Sequence, residues 1–264
     1  MRNLWRRLDR TVSILLILAG LIALWEIGCR IFHPPTWFLP SPSAIGVEIL
    51  RSPSYLLQQT GFTLLTTMAG FGLALAIGLA LAVAITYSTF LERTLYTMLV
   101  TLNSLPKVAL APVFVVWMGT GAEPKIAIAL TIAIFAIVID AVLGLRSSDP
   151  DLLNLARTAR ASHLQILLKI RLPSALPSIF AGMKVAISLS LVGAIVGEFV
   201  AGETGLGHVI LLAQGMFQTP RMFAAIVILG VLGTLLFYVV DLVERICVPW
   251  HVSQRGGHAS APSR

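Results

Sequence analysis

Six apolar runs, each long enough to cross a hydrocarbon core of about 30 Å as helix, recur along this 264-residue chain and leave it little choice of solvent. They are approximately Val12–Ile31, Thr60–Tyr87, Leu95–Met118, Lys125–Leu145, Ile179–Ala201 and Met222–Ile246. With 57% hydrophobic and 12% charged residues, the chain lies outside the range of a soluble domain. The expectation is an all-α, polytopic membrane protein with six transmembrane helices. The first run is too long for the apolar part of a cleaved signal, about 7–15 residues, so a retained first span is expected.

Basic residues set the orientation. With the N-terminus inside, Arg2, Arg6, Arg7, Arg10, Arg93, Arg146, Arg157, Arg160, Lys169, Arg171, Arg245, Arg255 and Arg264 fall on the cytoplasmic side. Only Arg30, Arg51, Lys125 and Arg221 fall outside. That asymmetry predicts an inner (plasma) membrane protein with both termini in the cytoplasm. It also accounts for the net charge of +7 without nucleic acid. Cys29 and Cys247 are expected near opposite faces, so no disulfide is predicted, and no cluster with metal-ligand spacing occurs.

Between the fourth and fifth runs lies a polar island, Arg146 to Pro177. Ser148-Asp149-Pro150-Asp151 reads as a helix start, with a capping side chain, proline in the first turn and acid at the positive end of the dipole. Ser162-His163-Leu164-Gln165 opens a second helix through a capping box, and Leu172-Pro173 is expected to stop it. Two short helices with apolar residues beside basic ones suit docking in a partner's groove, although positive charge there is also an ordinary topology signal.

Ala156-Arg157-Thr158, Ala161-Ser162 and Arg171-Leu172-Pro173-Ser174-Ala175-Leu176-Pro177 resemble the "EAA" loop of permease subunits of binding-protein-dependent ABC importers. Leu105 to Pro112 with Trp117, Gly144 to Pro150, and Ser188 to Gly207 resemble the nitrate/sulfonate/taurine branch of that superfamily. The resemblance covers nearly the whole chain after about residue 40. It implies a type I ABC importer transmembrane fold whose cytoplasmic loop forms coupling helices. Asp151, Leu155, Ala156, Arg157, Ala161, Ser162, Leu167 and Pro173 are then the ATPase-coupling residues. The family's glutamate position holds Asn154 and its glycine holds Arg160; arginine does not take φ > 0 freely, which predicts a differently shaped join.

The expected domains are residues 1–57 (tail, first span and external segment), a transmembrane core over 58–246, and a disordered cytoplasmic tail over 247–264. Gly70, Gly72 and Gly78 would let helices approach closely, and Pro106 and Pro112 would interrupt or bend the third span. Among ionisable residues in or near spans, Lys184 and Asp241 are expected to snorkel to an interface. Lys107 and Glu198 are candidates for lining the pathway or for structural polar contacts. Gly205, Leu206 and Gly207, in a glycine-rich segment after the fifth run, would form the external gate in the family, or else a plain connector. His208 to Gln218 would dip back without crossing.

No phosphate-cradling G-x-x-x-x-G-K-[ST] sequence occurs, nor any hydrolase or metalloprotease motif. The chain is therefore expected to be a transport subunit rather than an enzyme, without cofactor. The resemblance implies a homodimer or paired permease, two cytoplasmic ATP-binding subunits, an external solute-binding protein and a membrane-lipid surround. It suggests a small anion such as nitrate, a sulfonate or taurine as solute. The alternative class is an ion-coupled secondary transporter, which should show mid-depth carboxylates and internal repeats.

Overall fold

The computed structural model describes residues 2–96, 98, 101 and 105–249, with side chains described for all of these except 2–11, 14, 15, 89, 95 and 96. Helices account for its regular structure, with no strand among the described residues. The tail expected to be disordered lies beyond them from residue 250 onward, as do the side chains of Arg2, Arg6, Arg7 and Arg10.

Helix α1, Arg2–Phe32, carries the first run. Its Glu26 carboxylate accepts from the Arg30 guanidinium at 2.9 Å and from the Ser43 amide and hydroxyl at 3.0 and 2.9 Å, which ties its end to α2, Pro42–Arg51. Among the described residues, four helices are long and apolar enough to cross a membrane: α3 (Pro53–Tyr87), α5 (Glu123–Arg146), α7 (His163–Ala201) and α9 (Thr219–Cys247).

The expected third span looks different. Residues 97, 99, 100 and 102–104 lie outside the described residues, and the run then continues as a 3₁₀ turn, Lys107–Leu110, and a short helix α4, Ala111–Met118. Pro106 precedes the turn and Pro112 stands in the first turn of α4. The prolines thus begin short elements, where a missing N–H is harmless, instead of bending a long one.

A second correction concerns Leu172-Pro173. The helix that starts at His163 does not stop there but runs on to Ala201, so this span begins inside the polar island rather than at Ile179. Leu167–Arg171 widens into a π-helical turn, with the Leu172 amide donating to the Leu167 carbonyl. A proline ring ordinarily clashes with the carbonyl four residues back; a local π-turn breaks that register just ahead of Pro173. Pro177 is then carried within the helix.

α5 lies between α3 and α7 and forms the centre of the bundle. Lipid tails are as apolar as leucine, so close backbone approach and polar contacts do more than apolar burial to hold such helices together. Ala129 of α5, fully buried, shows the approach from both sides. A Cβ at Gly70 on α3 would lie 2.5 Å from the Ala129 Cβ, and one at Gly193 on α7 would lie 2.6 Å from its Cα. Gly78 is similarly tight against Ile137, at 2.9 Å, whereas Gly72 faces open space, so two of the three expected packing glycines lie at contacts.

α7 and α9 are joined by charge, from the middle of α7 to the last turns of α9. Lys184 pairs with both Asp241 and Glu244, and Arg245 reaches Asp241 at 2.7 Å. Lys184 and Asp241 therefore neutralise each other between helices instead of snorkelling separately, a cheaper solution where both are largely shielded from water.

Candidate functional site

The loop between α5 and α7 is built by caps that are local in sequence. The Asp149 carboxylate accepts from the Asp151 amide at 2.8 Å and opens α6, Pro150–Thr158. The helix closes with the Ala161 amide donating to the Ala156 carbonyl and the Arg160 amide to the Arg157 carbonyl, both at 3.0 Å. This is a Schellman closure, whose first residue beyond the cap is left-handed. Arg160 occupies that position at φ 55°. The join thus keeps a glycine-like shape despite the arginine, contrary to the expectation from sequence, and strain of about 1–2 kcal/mol comes with it. Ser162 and Gln165 then form the expected capping box at the start of α7, at 3.3 and 2.8 Å.

Two anchors hold this loop. Tyr87, at the end of α3, donates its hydroxyl to the His163 carbonyl at 3.1 Å, its ring stands edge-on to the His163 ring, and the Arg171 guanidinium lies 5.2 Å from the Tyr87 ring centre. At the other end, Arg146 donates to Glu92 at 2.7 Å. That hydrogen bond holds the Glu92 carboxyl below the usual carboxylate range.

Between the anchors an apolar face is left bare: Leu152, Leu155, Leu164 and Leu168 are 49%, 66%, 64% and 53% exposed. Of the sequence-predicted coupling residues, Asp151, Leu155, Arg157 and Ser162 are exposed, while Ala156, Ala161, Leu167 and Pro173 are half-buried. Leu167 packs on the cluster that includes Ala82, Ile85 and Val138, so it belongs to the bundle as much as to the loop.

On the opposite side the glycine-rich segment is seated rather than loose. Gly205 takes φ 108°, a conformation glycine tolerates, and starts α8, Leu206–Gly215. At about 1.5 Å per residue α8 is too short to cross, as expected of a segment that dips back. Its first amides are satisfied one by one from other helices. Gly205 donates to Gln59 Oε1 at 2.6 Å, Leu206 to Thr63 Oγ1 at 2.9 Å and Gly207 to Glu198 Oε2 at 2.7 Å. Thr63 donates in turn to Glu198 Oε1 at 2.8 Å. The fully buried Glu198 side chain thus places a carboxyl at the positive end of α8.

Lys125, also buried, donates to the Thr204 carbonyl at 3.1 Å and to its hydroxyl at 3.2 Å, clamping the other flank. A cavity of about 190 Å³ lies beside these groups, with Phe62, Thr120, Glu203 and Thr204 among its walls. Sequence reasoning missed Gln59, Thr63 and Lys125. The available signal was Gln59, Thr63, Thr66 and Thr67 at helical spacing on α3, a polar stripe facing one way.

Lys107 and Glu198, paired in the sequence reading, serve different places. The Lys107 ammonium stands 4.3 Å from the centre of the Phe135 ring, ten residues further along α5 than Lys125.

Residues 54–246 match the family model described as binding-protein-dependent transport system inner membrane component. The chain is 34% identical over 251 residues to the riboflavin transport system permease protein of Chloroflexus aurantiacus, covering 94% of this chain and 92% of that one. It is 30% identical over 234 residues to a putative aliphatic sulfonates transport permease protein of Escherichia coli, covering 88% and 89%. Among solved structures, an inward-facing conformation of the MetNI methionine ABC transporter superposes with a TM-score of 0.65 at 23% identity, over 73% of this chain and 96% of that chain.

Proposed function

The chain belongs to the binding-protein-dependent transport system inner membrane components, and from that membership we propose how it works as a permease subunit of an ATP-driven importer. Two copies pair in the membrane, two cytoplasmic ATP-binding subunits dock below, and a solute-binding protein delivers cargo from outside. ATP closes the ATPase pair, the pull enters through residues 149–172, and the cavity between the two permeases opens outward. The solute is a small molecule, an anion such as nitrate, a sulfonate or taurine. Relatives of this chain carry the names of riboflavin and aliphatic sulfonate permeases.

The observation that carries this reading is the bare leucine face on a loop fastened at both ends to the spans. Leu152, Leu155, Leu164 and Leu168 are too exposed for a finished surface in water and fit an apolar cleft on a partner. The seated glycine segment, Gly205 to Gly207, serves as the outer gate. Both termini lie inside, the arrangement favoured by the basic residues. Membrane-impermeant labelling of single cysteines at Arg93 and Glu203 tests it: only the second should react from outside.

Docking is tested with Leu155→Asp, because Leu155 is exposed and the change leaves the bundle intact. The variant should insert in the membrane normally yet lose its co-purifying ATP-binding subunit and solute uptake. Wild-type assembly and transport in Leu155→Asp and in Leu164→Asp would sink the docking role.

A further inference from the structure

Phe135 lies at the middle of α5, about 17 Å from either end of Glu123–Arg146 at about 1.5 Å per residue. The Lys107 ammonium, 4.3 Å from its ring centre, is therefore held near the mid-depth of the bilayer, on a 3₁₀ turn rather than on a crossing helix. A cation at that depth is expensive, and it marks a solute or ion path by default. An aromatic face offsets part of that expense, about 0.5–2 kcal/mol.

Beside the ammonium opens a cavity of about 290 Å³ walled by Ile132, Phe135, Ala136, Ile139 and Leu189, with Lys107 the one charged group lining it among the described residues. Small-molecule sites have this make-up: an apolar pocket with one or a few placed polar groups, of about 300 Å³ upward. Glu198 takes no part, since its carboxyl is engaged by Gly207 and Thr63.

We infer that this cavity is a solute subsite on the route and that it takes compact organic anions. Lys107 binds the anionic head, and Ile132, Phe135 and Leu189 receive an apolar body. As the anion arrives, the ammonium turns from the Phe135 face to the head group, and the ring face becomes available to the body. The inference rests on the permease reading and narrows it, because a bare inorganic anion leaves the apolar walls unused.

The test uses the permease purified with its ATP-binding subunits in lipid nanodiscs. Three probes are compared by equilibrium binding: benzenesulfonate, its neutral isostere benzenesulfonamide, and nitrate. Benzenesulfonate should bind at least tenfold more tightly than either of the others. Lys107→Gln should erase the preference over the sulfonamide and Lys107→Arg should retain it. Phe135→Ala should weaken benzenesulfonate at least threefold and leave nitrate unmoved.

Equal binding of the three probes to wild type overturns the subsite, and so does a benzenesulfonate affinity unchanged in Phe135→Ala. Should Lys107→Gln fail to assemble, Lys107→Arg and Phe135→Ala still decide it. Failure of the permease reading looks different, for then the wild-type chain purifies without any ATP-binding subunit.

Discussion

Arg160 shows how far a single residue is bent to its setting. Its left-handed backbone, φ 55°, closes α6 through bonds from its own amide and that of Ala161. Glycine there would shed about 1–2 kcal/mol of strain and give back about 0.5–1 kcal/mol through the freer unfolded chain. Arg160→Gly should therefore slow hydrogen exchange at the Ala161 amide by up to about tenfold; faster exchange would count against strain at this position. Glu198 offers a larger effect. Truncation to alanine strands the Gly207 amide, a loss of about 1–3 kcal/mol for a buried donor, while Thr63 can turn its hydroxyl to the Gln59 carbonyl 3.4 Å away. Glu198→Ala should lower the melting temperature of the purified protein clearly and Glu198→Gln, which keeps an acceptor, much less. Equal melting of all three would refute the seat. The sequence showed Glu198 as an expensive charge but not its partner, since Thr63 lies 135 positions away.

The caps of α6 and α7 were legible because Asp149, Ser162 and Gln165 act on neighbours within three positions, whereas the fate of Pro173 was not. Whether proline ends a helix depends on the turn before it, and the π-turn at Leu167–Arg171 is a tertiary outcome with no local signature. The packing of α5 follows the same division. Gly70 could be suspected, but that it and Gly193 press on one alanine could not. Gly193→Val should force α5 and α7 apart and destabilise by about 1–3 kcal/mol, read as a lower melting temperature; Gly72→Val, with open space around it, is the matched control. The Glu92–Arg146 pair responds to acid. Because the folded protein holds Glu92 below its ordinary value, the pair's contribution is complete above the usual glutamate range and fades as pH falls through the lowered value. The protection of the Glu92–Tyr96 amides, measured against their intrinsic exchange rate at each pH, should fall as acid is added through that window and stay flat in Glu92→Gln.

For the molecule as a whole, apolar runs announced a membrane protein, and among the described residues four of them stand as helices long and apolar enough to cross. The polar island announced a cytoplasmic device. Hidden from any linear reading was that the two are one piece: the second half of the loop is the first part of α7, and α7 ends three residues beyond Glu198. Along its length α7 meets α5 at Gly182 against Asp140, Gly193 against Ala129 and Gly197 against Lys125, contacts too close for either helix to slide independently. The pair is a single stiff plank. Whatever tips it at the end that carries the polar island must also tip the far end, where the Glu198 carboxyl and Lys125 hold the glycine segment in its seat.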